Sequence, residues 1–192
     1  MDIAQATEAT ECHSPTLSEM PTASNVLLPE GMTDEPPGWR DERGWTPIDA
    51  LDRYLHDRFE VERWAWAEER KTSIFGRGGQ LTEADLNIVD GINMRLRELA
   101  ERHLTPEALA RWNPSNSNPS EHDPKKNRVL SVSRRRHGIV AVTVQYRLPR
   151  GYAPADHDTS LYRYDFVKRH GEWRLGNRLA PQPGSRPIGG LL

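Results

Sequence analysis

The chain contains a single cysteine, Cys12. An intrachain disulfide and a cysteine-built zinc site are both excluded. Lysine is scarce: of 26 basic residues only Lys71, Lys125, Lys126 and Lys168 are not arginine, an imbalance that genomic base composition explains as readily as function. Nowhere does the sequence approach the roughly 20 apolar residues that a membrane-crossing helix needs. Neither sign of charge dominates, with a net charge of −2, so a global basic field for nucleic acid is missing. The first residues, Met-Asp-Ile-Ala-Gln-Ala-Thr-Glu, lack the basic and apolar regions of a secretory signal. These absences lead us to expect a cytoplasmic protein with no nucleic-acid or membrane partner.

What is present divides the 192 residues into one domain with appendages. Mean hydropathy is low, at −0.79, while six tryptophans argue for a packed core. A disordered segment joined to an ordinary domain reconciles the two. Residues 1–44 are rich in Pro, Thr, Ser and Glu, with Val26-Leu27-Leu28 as their apolar cluster. They read as a flexible arm, with order beginning near Trp39 and Trp45. Residues 45–180 read as the domain, and 181–192 as a flexible tail.

Within the domain, Thr46-Pro47-Ile48-Asp49 starts a helix that runs to about Lys71. Threonine caps, proline suits the first turn, and aspartate meets the positive end of the helix dipole. Ile48, Leu51, Leu55, Phe59 (or Arg58), Glu62 and Trp66 share one spacing, and Trp64-Ala65-Trp66 must send at least one ring inward. Thr82-Glu83-Ala84-Asp85 opens a second helix with a capping-box pattern. Ile88, Ile92, Leu96, Leu99 and His103 follow at helical spacing, and Gly91 suggests a close backbone contact there. Thr105-Pro106-Glu107 begins a short third helix ending near Trp112. The loop 113–126 is full of turn formers.

Four strands follow, at about 128–134, 139–147, 161–169 and around Trp173 and Leu175. Val140, Val142, Val144 and Tyr146 line one face of the second strand, and Tyr162, Tyr164 and Phe166 one face of the third. His170-Gly171 marks a tight hairpin. The fold class is α+β, with helices gathered on one face of a bent antiparallel sheet.

No catalytic, cofactor-binding or metal-binding residue stands out. No Ser-His-Asp or Cys-His arrangement is evident. Asp165 alternates with Tyr162 and Tyr164, so strand three cannot place a base and its tyrosine donors on one face. Asp156-His157-Asp158 and His122-Asp123 lack a third spaced metal ligand. Gly76-Arg77-Gly78-Gly79 lacks the Lys-Ser/Thr and the preceding strand of a phosphate loop. Arg134-Arg135-Arg136 reads as a solvated strand connection.

The order of elements resembles the nuclear transport factor 2-like superfamily, above all the ending Leu161-Tyr162-Arg163-Tyr164-Asp165-Phe166, then Gly171-Glu172-Trp173-Arg174-Leu175. The resemblance implies a cone: a curved antiparallel sheet of four or more strands packed on two long helices and a short one. Within that superfamily the chain is most similar to immunity proteins of bacterial polymorphic toxin systems. Pro119-Ser120-Glu121-His122-Asp123-Pro124 matches their Pro-rich segment before the first long strand, with His122 where Tyr is usual. Val140-Ala141-Val142-Thr143-Val144-Gln145 and Glu62-Arg63-Trp64 are also similar. The resemblance implies a non-catalytic protein that neutralises a cognate toxin by complex formation, without cofactor. Its candidate surfaces are the cone mouth and the loops 113–126 and 148–159. Two other readings stay open: an isomerase or cyclase using the cone pocket, and a dimerising accessory module.

Overall fold

The structure, a computed structural model, describes residues 38–71, 82–113, 120–148 and 159–180. Their elements run α1 (Pro47–Glu69), α2 (Glu83–His103), α3 (Pro106–Leu109), β1 (Asn127–Arg134), β2 (Val140–Arg147), β3 (Thr159–Arg169) and β4 (Glu172–Leu179). The α+β class is as the sequence indicates. The strands form one antiparallel sheet in the order β1-β2-β3-β4.

Both long helices begin with the same chemistry. Thr46 Oγ1 accepts from the Asp49 amide, and the Asp49 carboxylate accepts from Thr46 N at 2.8 Å. Thr82 and Asp85 repeat this reciprocal box. Aspartate replaces the usual glutamate without loss of either bond. After α2 the chain is tied to the sheet, because Thr105 N donates to Leu175 O at 2.9 Å.

The β2–β3 pair is in register throughout its length, with Val140 opposite Phe166, Val142 opposite Tyr164 and Val144 opposite Tyr162. All six are buried, and with Tyr146 they form the floor on which Leu51, Tyr54 and Leu55 of α1 pack. Each such apolar side chain contributes on the order of 1.5–3 kcal/mol by leaving water. The β3–β4 turn has His170 at φ 50° and Gly171 at φ 76°, the paired left-handed residues of a tight hairpin. Ala65, Ile92 and Leu96 make a second, smaller cluster between α1 and α2.

Three local expectations are corrected. The packed region starts earlier than residue 45: Trp39 is in the main core, its carbonyl accepting from Trp173 Nε1 at 2.6 Å, and Asp41 accepts from Trp173 N at 3.1 Å. These contacts tie Gly38–Trp45 to the β3–β4 hairpin. The rest of the arm and the tail lie outside the described residues. In Trp64-Ala65-Trp66 one ring does turn inward: Trp64 packs, partly buried, against the cluster of Ala65, Ile92 and Leu96, and Ala65 is fully buried. Trp64 and Trp66 are half-buried, beneath the guanidinium groups of Arg95 (3.9 Å) and Arg70 (4.4 Å). Gly91 has nothing within 4 Å of where a Cβ would stand, so no close backbone contact explains it. The third helix is one turn, Pro106–Leu109, and does not reach Trp112.

No helix among the described residues is long and apolar enough to cross a membrane. Gly76–Gly79 and Asp156–Asp158 lie outside them.

Candidate functional site

On the helix side of the sheet, a cavity of about 450 Å³ opens between α1, α3, the loop before β1 and the end of β4. Its charged wall begins on α1. Arg58 and Glu62, one turn apart, occupy the stripe that otherwise buries Leu51 and Leu55. Arg58 Nε donates to Glu62 Oε1 at 2.9 Å, and both side chains are almost wholly buried. A buried ion pair is tolerated only when its remaining polar atoms are also bonded. The loop before β1 supplies those of Glu62. Ser120 Oγ donates to Glu62 Oε2, and His122 Nδ1 lies 3.1 Å from Oε1.

Burial works to raise the Glu62 carboxyl, but the hydrogen bond from His122, then the Arg58 charge and the Ser120 hydroxyl, outweigh it and hold the acid below its ordinary value. His122 is pushed below the ordinary imidazole value by burial, against the opposing pull of Glu62. The stable arrangement is an ionised Glu62 accepting from the Nδ1–H of a neutral His122. In that tautomer Nε2 is an acceptor, and it has no hydrogen-bond partner among the described residues. The His122 ring stands edge-on to Tyr54, with centroids 5.8 Å apart.

The loop itself is well anchored. Asn127 Nδ2 donates to Glu121 O (3.1 Å) and Asp123 O (2.8 Å). Tyr146 OH donates to Ser120 O at 3.1 Å. Asp123 caps the single turn Pro124–Lys126.

The sheet contributes Arg178. Alternation from Trp173 and Leu175 would turn Asn177 inward and Arg178 outward. An extra residue at Gly176 breaks the register: Phe166 pairs with Leu175, but Asp165 pairs with Asn177 and Tyr164 with Arg178. This β-bulge moves every later side chain to the other face. The Arg178 guanidinium therefore lies 4.2 Å from the Tyr162 ring centroid and 2.6 Å from Glu121. Burial opposes its charge, but Tyr164 and Glu121 hold it protonated.

Leu104, Ala108, Trp112 and Leu175 also line the cavity, the Arg58 guanidinium standing 5.9 Å from the Trp112 ring centroid, with Arg111 exposed. The cavity thus offers an apolar wall, a polar wall and one surplus positive charge: Arg58, Arg111 and Arg178 face Glu62 and Glu121.

The residues that the sequence singled out as possible chemistry are separated. Tyr162 and Tyr164 point to the core, whereas Asp165 lies on the outer face, paired with Arg163 at 3.0 Å. His122 and Asp123 diverge, one toward Glu62 and the other capping its own turn. Among the described residues no cluster of His, Cys, Asp or Glu is arranged to hold a metal ion. His103 ends α2 and bonds Asp57 across to α1 at 2.7 Å, a helix-to-helix tie. Sequence reasoning missed the Arg58–Glu62–His122 network and Arg178. Its one legible trace was a charged pair at positions i and i+4 on an apolar stripe. No protein-family model, no curated protein and no solved structure matches this chain.

Proposed function

We propose that this chain is a cytoplasmic, non-catalytic immunity protein with the cone fold of the nuclear transport factor 2-like superfamily, neutralising a cognate bacterial toxin by forming a complex with it. The observation that carries this reading is the position of Ser120-Glu121-His122. The segment through which the chain resembles such immunity proteins sends its three side chains to Glu62, Arg178 and Glu62 again. A motif with that structural duty is a sound basis for comparison, because its residues specify the domain. The charge state of Glu62 supports the non-catalytic part. Held as a carboxylate by Arg58, Ser120 and His122, it is a poor proton acceptor, and a general base of the isomerase kind is tuned the other way.

The test is purification of the tagged chain from its own cells, with mass spectrometry of what remains bound. We expect one large protein with a variable C-terminal toxic domain, in near-equal amount, and relief of growth arrest when that domain and this chain are co-expressed. Recovery of the chain alone, with no protection, overturns the reading.

A further inference from the structure

Charge is segregated along this chain, although its net value is small. Residues 124–148 carry seven lysines and arginines and no acidic residue, whereas residues 1–37 carry seven acidic residues and neither lysine nor arginine. The basic stretch comprises the β1–β2 hairpin and the turn that leads into it, and β1 is an edge strand of the sheet. Arg128, Arg134, Arg136 and Arg147 are exposed, and among the described residues none of the four has an ion-pair or hydrogen-bond partner for its side chain. Other exposed arginines do: Arg63, Arg97 and Arg169 each meet a carboxylate. Like charges gathered without counter-charges repel one another, and an anion relieves them.

The first described residue, Gly38, stands at one end of this hairpin. Arg134 pairs with Val140 and Val140 with Phe166, so Arg134 shares a face and an end of the sheet with Lys168, two residues beyond Phe166. Lys168 Nζ donates to Gly38 O at 2.8 Å. Asp34 and Glu35 come just before Gly38, within a reach of up to about 14 Å, against roughly 10 Å for the two strand spacings from β3 to β1.

We propose that the β1–β2 hairpin is an anion-binding surface whose occupant is the chain's own acidic segment, residues 1–37. Asp34 and Glu35 meet Arg134 and Arg136, and the acids farther from Gly38 meet Arg128 and Arg147. Each exposed ion pair contributes at most about 1 kcal/mol, so contacts of this kind need a tether. Attachment at Gly38 provides one, holding the acids at an effective concentration in the millimolar range. Any acidic partner that reaches the hairpin must displace the segment, which acts as a built-in competitor. The surface does not depend on the toxin-neutralising reading, because both sets of charges belong to this chain.

The test uses Cys12, the chain's single thiol, which is next to Glu11. A nitroxide spin label on Cys12 of the full chain broadens the NMR signals of amides that it approaches. In low salt we expect selective loss of intensity at residues 128–136, with the amides of α2 from Glu83 to Met94 unaffected. At about 1 M salt, where the screening length falls to about 3 Å, the loss should vanish. The triple variant Arg128→Gln, Arg134→Gln, Arg136→Gln changes exposed side chains, so the fold should survive, and it should abolish the loss as salt does. The proposal is overturned if the hairpin amides keep full intensity in low salt. It is equally overturned if the loss persists in high salt or in the variant, because proximity through the tether would then account for it. Broadening in a mixture that carries the label and the observed isotope on different molecules would place a second copy on the hairpin, and would overturn the contact within one chain.

Discussion

Nδ1 of His122 and the carboxylate of Glu62 meet at 3.1 Å although sixty positions separate them in the chain. The contact joins the middle of α1 to the loop that leads into the sheet. Both groups are buried, and Arg58 and Ser120 complete the coordination of the acid. The network links two parts of the fold that otherwise touch mainly through apolar packing.

Removing the acid should be costly. Glu62→Ala leaves the buried Arg58 guanidinium without its counter-charge, and the expected loss is about 3–5 kcal/mol. Urea unfolding measures it. The pair should also be strongly non-additive: a double-mutant cycle of Glu62→Ala and Arg58→Ala should show a coupling of about 0.5–3 kcal/mol. Strict additivity would mean that the pair does not interact in solution.

Acid should weaken the fold in two stages. The folded-state value of His122 is depressed, so the unfolded chain takes up its proton first. Stability contributed by neutral His122 is complete above about pH 6.5 and declines as pH falls below it. Glu62 and Asp57 are also depressed. Burial opposes the Asp57 shift, but the bond and charge of His103, then Arg102, prevail. Their contributions are present above about pH 4 and are lost as pH falls through the lower folded-state values. On the alkaline side Tyr146 is pushed up to about 12 by burial, then by Glu121 and Asp123. Its contribution is complete below about pH 10 and fades toward 12. Chemical denaturation across this pH range should give a plateau between about 6.5 and 10. A curve still rising with acid below pH 6 would contradict the neutral-histidine assignment.

Gly176 should tolerate a methyl group, and its deletion should leave the later side chains on their present faces. A Cβ there would stand 3.5 Å from the Asp165 carbonyl oxygen and 3.8 Å from Val167, ordinary contact distances. Gly176→Ala is expected to change stability by no more than about 1 kcal/mol. Deleting the residue removes the bulge and seats Asn177 directly after Leu175, so Asn177 stays outward opposite Asp165 and Arg178 stays inward opposite Tyr164. Thermal unfolding measures both variants; a loss of more than about 3 kcal/mol on deletion, the cost of burying Asn177 and displacing the Arg178 charge, would refute the register assigned to the bulge.

The strap before α1 should behave as part of the domain. Trp39 is 4% exposed and its carbonyl receives the Trp173 indole. Trp39→Ala is expected to cost about 3–5 kcal/mol, as for other buried tryptophans. A loss below about 1 kcal/mol would show that the strap is dispensable.

Local rules reached far into this fold. The two Thr…Asp capping boxes, the paired left-handed residues at His170-Gly171, and the alternation of Val140, Val142, Val144 against Tyr162, Tyr164, Phe166 depend on neighbours within a few positions or on a strict period of two. All are as the sequence indicates. Gly91 shows the limit. Residue type suggested close packing, but the neighbours were set by elements far along the chain.

The candidate site lay beyond those rules. The sequence by itself determined which elements form, their order, and which face of β2 and β3 is apolar. Only the tertiary structure decided that Glu62 would be ionised in the interior, because the partners that stabilise its charge come from one turn away and from sixty residues away. Only the bulge at Gly176 decided that Arg178 would face the cavity, because a single unpaired residue reverses every side chain after it. Trp39 joined the core for the same reason: its partner, Trp173, lies 134 positions distant, and contacts at that range have no period by which a sequence can display them.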